Sequence, residues 1–230
     1  IDLGLATPET LIDANAPMRY GKFLIKEFEN HNYGPLLSVA DIIAKSSNVG
    51  TAHIAMMIGG ERQQAFLKSL GLFDASPVEL VEAKWAKPLR PDRWPEIVTI
   101  TAAYGHGVSG SPLNLATAYA TIANGGIKVT PTLLKRTEPM QGERVMKETT
   151  AHLAVAMMRR VVTEGTASLG DVPGYAVAGK TGTAEKKKKG GGYIRDKVVN
   201  TFATTSPARR ISLSCSGVLS SMRAISRDRR

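Results

Sequence analysis

Two short groups of residues have the types and spacing to do chemistry together. They are Ser46-Ser47-Asn48, early in the chain, and Lys180-Thr181-Gly182-Thr183-Ala184, late in it. If the second group is a strand, the period of two puts the Thr181 and Thr183 hydroxyls on one side. With the Lys180 cation they can jointly hold a carboxylate. Gly182 sits between them, and its missing side chain leaves room for an extended substrate to pair with the backbone. Ser46 and Asn48 reach the same side of the chain only if their turn is extended, because i and i+2 diverge on a helix. Each group also has a plain structural reading. Ser and Asn between two helices serve as caps, and a lysine in a Thr/Gly-rich hairpin needs no function. Neither group says much alone; the two in this order are far more specific.

The elements that must carry these residues follow from caps and periodicity. Residues 3–13 read as a helix fragment running into a turn at Ala6-Thr7-Pro8, and 17–28 as short extended segments about Gly21. Ser38 is a good N-cap for a helix over Ser38–Lys45, with Val39, Ile42 and Ile43 as its apolar stripe. The break at Ser46-Ser47-Asn48 permits the extended turn. A second helix over Val49–Ile58 stops at Gly59-Gly60, and a third over Glu61–Leu70 stops at Gly71. Pro88, Pro91 and Pro95 punctuate an irregular stretch closing near Ile97. Ser111-Pro112 opens a helix over Leu113–Asn124, and another spans Thr149–Glu164. The period then changes: Tyr175–Ala184 and Lys197–Thr205 read as two antiparallel strands joined by a hairpin. Helices in a block followed by strands indicate an α+β domain, not an alternating parallel one.

Composition excludes several classes. At 230 residues, with 43% hydrophobic and 22% charged, the chain suits one sizeable core. No run of about 18 apolar residues is present to cross a membrane. The net charge of +10 is concentrated: Lys186–Lys189 carry +4, and residues 203–230 carry six arginines and one aspartate, leaving only +1 elsewhere. A nucleic-acid surface needs basic residues spread over a folded face, so no nucleic-acid partner is expected. One cysteine, Cys215, builds neither a disulfide framework nor a thiolate metal site. Domain-like sequence ends near residue 205. The 206–230 segment, rich in Arg and Ser, is expected to be an aberrant tail, as a shifted reading frame would give, or else a disordered basic extension.

The motif set resembles the penicillin-binding transpeptidases, whose signature is S-x-x-K, S-x-N and K-T-G. Tyr104-Gly105-His106-Gly107-Val108-Ser109-Gly110-Ser111-Pro112-Leu113-Asn114-Leu115-Ala116 with Asn124-Gly125-Gly126 is similar to the family's glycine turn, helix and N-G-G turn. So are Glu164-Gly165-Thr166-Ala167, Pro173-Gly174-Tyr175 and Asn200-Thr201-Phe202-Ala203 to the stretches flanking its K-T-G strand. The resemblance covers about residues 1–205 and is nearest to the division-specific class B members. It implies a β-lactamase/transpeptidase-like fold, an antiparallel sheet packed against a helical cluster. It also implies D,D-transpeptidation of peptidoglycan stem peptides ending in D-Ala-D-Ala during septal wall synthesis, with β-lactams as inhibitors.

By motif position, the resemblance makes Ser46 a proton relay to the leaving group and Asn48 a partner of the substrate amide and of the S-x-x-K lysine. Lys180 would hold Ser46, Thr181 and Thr183 would bind the substrate carboxylate beside Gly182, and the Thr183 N–H would form half of an oxyanion hole. No cofactor or metal is implied. Divisome membrane proteins would be partners, and the parent protein would be anchored in the inner membrane facing the periplasm. The chain contains no S-x-x-K; Ile1–Leu5 is expected to be the later part of the helix bearing that motif, so this chain alone should not acylate. A serine β-lactamase or D,D-carboxypeptidase of the same fold, or a non-catalytic peptide-binding or sensor module, are the alternatives.

Overall fold

The computed structural model describes residues 1–138, 141–187 and 193–205. Its elements in chain order are β1 (Leu11–Asp13), β2 (Met18–Tyr20), β3 (Phe23–Ile25), β4 (Leu36–Ser38), α1 (Val39–Lys45), α2 (Asn48–Ile58) and α3 (Gly60–Ser69). After a long connection come α4 (Glu96–Ala103), α5 (Pro112–Ala123), α6 (Glu148–Thr163), β5 (Ala178–Lys187) and β6 (Tyr193–Thr205). The described strands form three antiparallel pairs: β1 with β4, β2 with β3, and β5 with β6. The expected α+β organisation holds, with β5–β6 packed on the helices.

Most boundaries follow from local chemistry. The Ser38 hydroxyl accepts the Asp41 N–H at 3.1 Å and starts α1. Ser111 and Asn114 form a reciprocal capping box at α5, with Pro112 in its first turn. Two expectations fail. Residues 1–10 form turns leading into β1, not a helix; Gly4 takes φ +72° and Pro8 lies just before the strand, so no helical run develops. The irregular stretch expected to close near Ile97 ends at Pro95, and residues 96–103, where no helix is expected, are helical. Pro95 is the N-cap of α4, a place where a missing N–H costs nothing, and Ile100 is fully buried. The tail beyond 205 and residues 188–192, where the hairpin connection is expected, lie outside the described residues.

The core is organised about α6. Its Met157 joins Ile12, Leu37, Val39 and Ile42, tying the β1–β4 pair and α1 to the helix. One turn further on, Val161 and Val162 pack with Ala167, Ile43, Val177 and Phe202, tying α1 and β6 to the same helix. Each fully buried valine or isoleucine contributes about 1.5–3 kcal/mol. The C-terminal end of α6 thus holds α1 and the β5–β6 pair side by side. A separate cluster of Ile25, Val49, Ala52 and Ile100 fixes β3, α2 and α4.

Candidate active site

The first wall of the site is the turn between α1 and α2. The Ser47 N–H donates to the Ile42 carbonyl at 3.0 Å and the Ser46 N–H to the Ile43 carbonyl at 3.3 Å. This is the Schellman ending of α1, with Ser46 in the left-handed position at φ 60°, ψ 45°. Glycine is the usual occupant there, and a side chain costs about 1–2 kcal/mol. α2 starts at once: the fully buried Ser47 is its N-cap, accepting the Gly50 N–H at 3.0 Å. Gly50 is needed for this tight reversal, since a Cβ there would lie 2.6 Å from Ile42.

The second wall is brought in by the chain leaving α6. A Cβ on Gly165 would lie 2.2 Å from the Ala44 carbonyl oxygen, so only glycine lets this segment close on the end of α1. The Thr166 N–H then donates to the same carbonyl at 3.2 Å. The hydroxyls of Thr166 and Thr181 share a hydrogen bond of 2.6 Å, which seats β5 against the junction. Gly179 lets β6 approach β5 closely; a Cβ there would meet the Ala203 carbonyl at 2.5 Å. Lys180 is thereby aimed at the serine turn. Its Nζ donates to Ser46 Oγ at 2.8 Å and to the Thr181 carbonyl at 3.0 Å.

Burial lowers the Lys180 pKa from 10.5 to about 8. The amine can therefore give or take a proton near neutral pH, which an exposed lysine cannot. Two of the ammonium's three hydrogens are engaged with Ser46 and Thr181, leaving one for an incoming anion. Ser46, accepting from Lys180, keeps its own hydroxyl hydrogen to donate elsewhere.

With that geometry in place, the comparisons with known proteins are decisive. The family model described as the penicillin binding protein transpeptidase domain matches residues 1–218. The chain belongs to this family. It is 35% identical over 214 residues to the "Probable peptidoglycan D,D-transpeptidase FtsI" of Caulobacter vibrioides, covering 90% of this chain and 36% of that protein. Among solved structures, the transpeptidase domain of Burkholderia pseudomallei penicillin-binding protein 3 superposes with a TM-score of 0.83 at 35% identity, covering 90% of this chain and 63% of that one. Penicillin-binding protein 3 of Mycobacterium tuberculosis, solved with ampicillin, gives 0.80 at 30% identity, covering 89% and 49%. The relatives are thus class B, FtsI-like penicillin-binding proteins, and the fold is that of their transpeptidase domains. This chain spans about a third of the length of the curated relatives it matches.

Within this transpeptidase domain the six residues singled out by sequence do not all meet. Ser46 and Lys180, 134 positions apart, are in contact. Asn48 opens α2 and directs its side-chain Nδ2 to the Lys26 carbonyl at 2.9 Å, not to Ser46 or Lys180. Thr181 is engaged by Thr166, whereas Thr183 is exposed and pairs in register with Asn200. What closes over Gly182 is Thr201, whose hydroxyl would lie 2.6 Å from an added Cβ. The other edge of β5 pairs with no strand among the described residues.

Three contributors escaped the sequence reading as site residues: Glu27, Thr166 and the Ala44 carbonyl. Thr166 stands in Glu164-Gly165-Thr166-Ala167, a stretch noted for its resemblance but given no part in the site. Glu27 gave no signal, since its partners are 20 to 22 residues away.

Proposed function

We propose that this domain serves D,D-transpeptidation, cross-linking peptidoglycan stem peptides that end in D-Ala-D-Ala. The observation that carries the reading is the Lys180–Ser46 hydrogen bond of 2.8 Å between two motifs from distant parts of the chain. In the reaction a serine hydroxyl attacks the carbonyl between the two D-alanines, the terminal D-alanine leaves with a proton, and an amine of a neighbouring stem peptide resolves the ester. Ser46 and Lys180 form the relay that delivers the proton to the leaving nitrogen. The remaining ammonium hydrogen of Lys180 and the hydroxyls of Thr181 and Thr183 receive the substrate carboxylate. Asn48 hydrogen-bonds the substrate amide, and the Thr183 N–H contributes to the oxyanion hole. The unpaired edge of β5, with Gly182 in its middle, accepts the peptide as an added strand.

The attacking serine belongs to an S-x-x-K motif that this chain does not contain, so the chain acylates only together with the residues carrying that motif. β-Lactams would act as mimics of D-Ala-D-Ala. By similarity to FtsI the reaction belongs to septal wall synthesis, on the periplasmic face of the inner membrane and beside membrane proteins of the division machinery. Among the described residues no helix is long and apolar enough to cross a membrane. The test is labelling with a fluorescent penicillin. The expected result is covalent label on the domain extended upstream by several tens of residues of its gene, and none on the 230-residue chain. Label on the latter would overturn the assignment of the nucleophile, and no label on either would overturn the function.

A further inference from the structure

Among the described residues Glu27 is the one buried acidic side chain, 4% exposed, and nothing in the mechanism above uses it. Its carboxylate accepts three hydrogen bonds from the serine–asparagine turn. They come from the Ser47 hydroxyl at 2.6 Å, the Asn48 N–H at 2.7 Å and the Val49 N–H at 3.2 Å. The residue before it completes the grip, because the Lys26 carbonyl accepts from Asn48 Nδ2 at 2.9 Å. A buried carboxylate against a helix N-terminus is a favourable cap, and capping accounts for the bonds from the Asn48 and Val49 N–H groups. It does not account for the bond from the Ser47 hydroxyl, which itself caps α2 through the Gly50 N–H. What Glu27 adds is a tie between the turn and the segment after β3. That tie reaches the middle residue by its side chain, and the third residue by its main chain and, through Lys26, its carboxamide.

Two consequences follow. Ser46 occupies a left-handed conformation that its side chain disfavours, so the residues on both sides must hold it there. The Schellman bonds do this from the α1 side, and the Glu27–Ser47 bond does it from the α2 side. Asn48 is also oriented: with one Nδ2 hydrogen committed to the Lys26 carbonyl, its Oδ1 is left to accept and its second Nδ2 hydrogen to donate, both in fixed directions.

We propose that Lys26 and Glu27 form a positioning clamp that keeps Ser46 in register with Lys180 and fixes the orientation in which the Asn48 carboxamide meets a substrate amide. The clamp rests on the transpeptidase reading above. It acts through Ser46 and Asn48, and Glu27 itself touches no reacting atom. A misplacement of about 1 Å at such a site costs on the order of 100-fold in rate.

The test uses the complete protein, reading the rate of penicillin acylation at saturation separately from the concentration giving half-saturation. Glu27→Gln keeps the shape but offers one acceptor oxygen and a competing N–H donor to three donors. It is expected to slow saturating acylation by about 10- to 100-fold. Tyr20→Phe removes the Tyr20–Glu96 hydrogen bond between β2 and α4 and controls for general loosening; it should stay within about twofold of wild type. An unchanged acylation rate in Glu27→Gln, or an equal loss in Tyr20→Phe, overturns the clamp while leaving the function standing. If Glu27→Gln does not fold, Glu27→Asp decides. It keeps the charge but draws the carboxylate back by one methylene from its three donors, and a loss of about threefold or more supports the clamp, while none overturns it. A wild-type protein that takes no penicillin overturns the functional reading, and the clamp with it.

Discussion

The two walls of the site are built by different physics. The serine–asparagine turn is held by polar contacts: Schellman bonds, the Ser47 cap and the buried Glu27 carboxylate. The K-T-G strand is held by close approach, with Gly165 against the Ala44 carbonyl and Gly179 against the Ala203 carbonyl, and by the apolar packing of Phe202 and Val177 on α6. Hydrogen bonds fix direction within a few tenths of an ångström and tolerate little rearrangement. Steric closeness fixes separation and fails by expulsion. Substitutions in the first wall should thus act on rate in a folded protein, and those in the second should act first on stability.

The largest effect is expected where the walls touch. In the complete protein, where this and the following acylation rates are read, Lys180→Ala removes the bond to Ser46 and should reduce penicillin acylation roughly 10²–10⁴-fold, the usual worth of a positioned proton-transfer group. The pH profile sharpens the point. With a pKa of about 8, Lys180 is cationic below that value and neutral above it. Acylation that depends on the cation should fall as pH rises through about 8, and Lys180→Arg should remove that inflection. The same depression has a stability consequence. Between about 8 and 10.5 the unfolded chain binds more protons than the folded one, so this group's contribution rises with pH across that window and is lost as pH falls to 8. An acylation profile flat across pH 8 would break the assignment.

Next in size is Gly165→Ala. Its Cβ would meet backbone, not the end of a flexible side chain, so relief requires the chain leaving α6 to move away from α1. A loss of about 1–3 kcal/mol in unfolding free energy is expected, measured by denaturant titration. A variant as stable as wild type would show that the second wall is not set by steric closeness. Ser46 gives the opposite sign. Ser46→Gly and Ser46→Ala both delete the hydroxyl and should lose acylation alike. Glycine, however, relieves the left-handed strain and should leave the protein about 1 kcal/mol more stable than alanine does. Equal melting temperatures for the two would mean that the turn does not hold Ser46 in that conformation.

How much of this was legible in sequence follows the same division. α1, α5 and α6 could be read because their ends are chemical: Ser38, the Ser111-Pro112 start and the Gly165 stop. α4 could not, because Pro95 serves equally as loop punctuation and as the residue before a helix, and eight residues are too few for periodicity to decide. Residues 1–10 misled in the other direction, since a few leucines mimic a helical stripe without any capping. Ser46 and Lys180 were visible as a pair only through the family's motif order. Glu27 was invisible: a buried carboxylate leaves no mark on sequence when its partners are main-chain N–H groups of a distant helix.

The smallest expected effect lies at the seam between the walls. The Thr166 and Thr181 hydroxyls bond at 2.6 Å, and this is the polar contact that joins the steric wall to a residue proposed to receive the substrate carboxylate. Thr166→Val keeps the β-branched shape and removes only the hydroxyl. Thr166 is exposed, so water can replace it at Thr181 and the cost should be at the low end of a hydrogen bond, about 0.5 kcal/mol. The loss should fall on binding, since the part proposed for Thr181 is to orient a carboxylate and not to move a proton. A two- to threefold higher penicillin concentration for half-saturation is expected, about what 0.5 kcal/mol converts to, with the saturating rate unchanged. Thr166→Ser, which restores the hydroxyl, should recover wild-type binding. A loss in saturating rate instead would mean that the Thr166–Thr181 contact also governs the Lys180–Ser46 distance, so that the two walls move as one body.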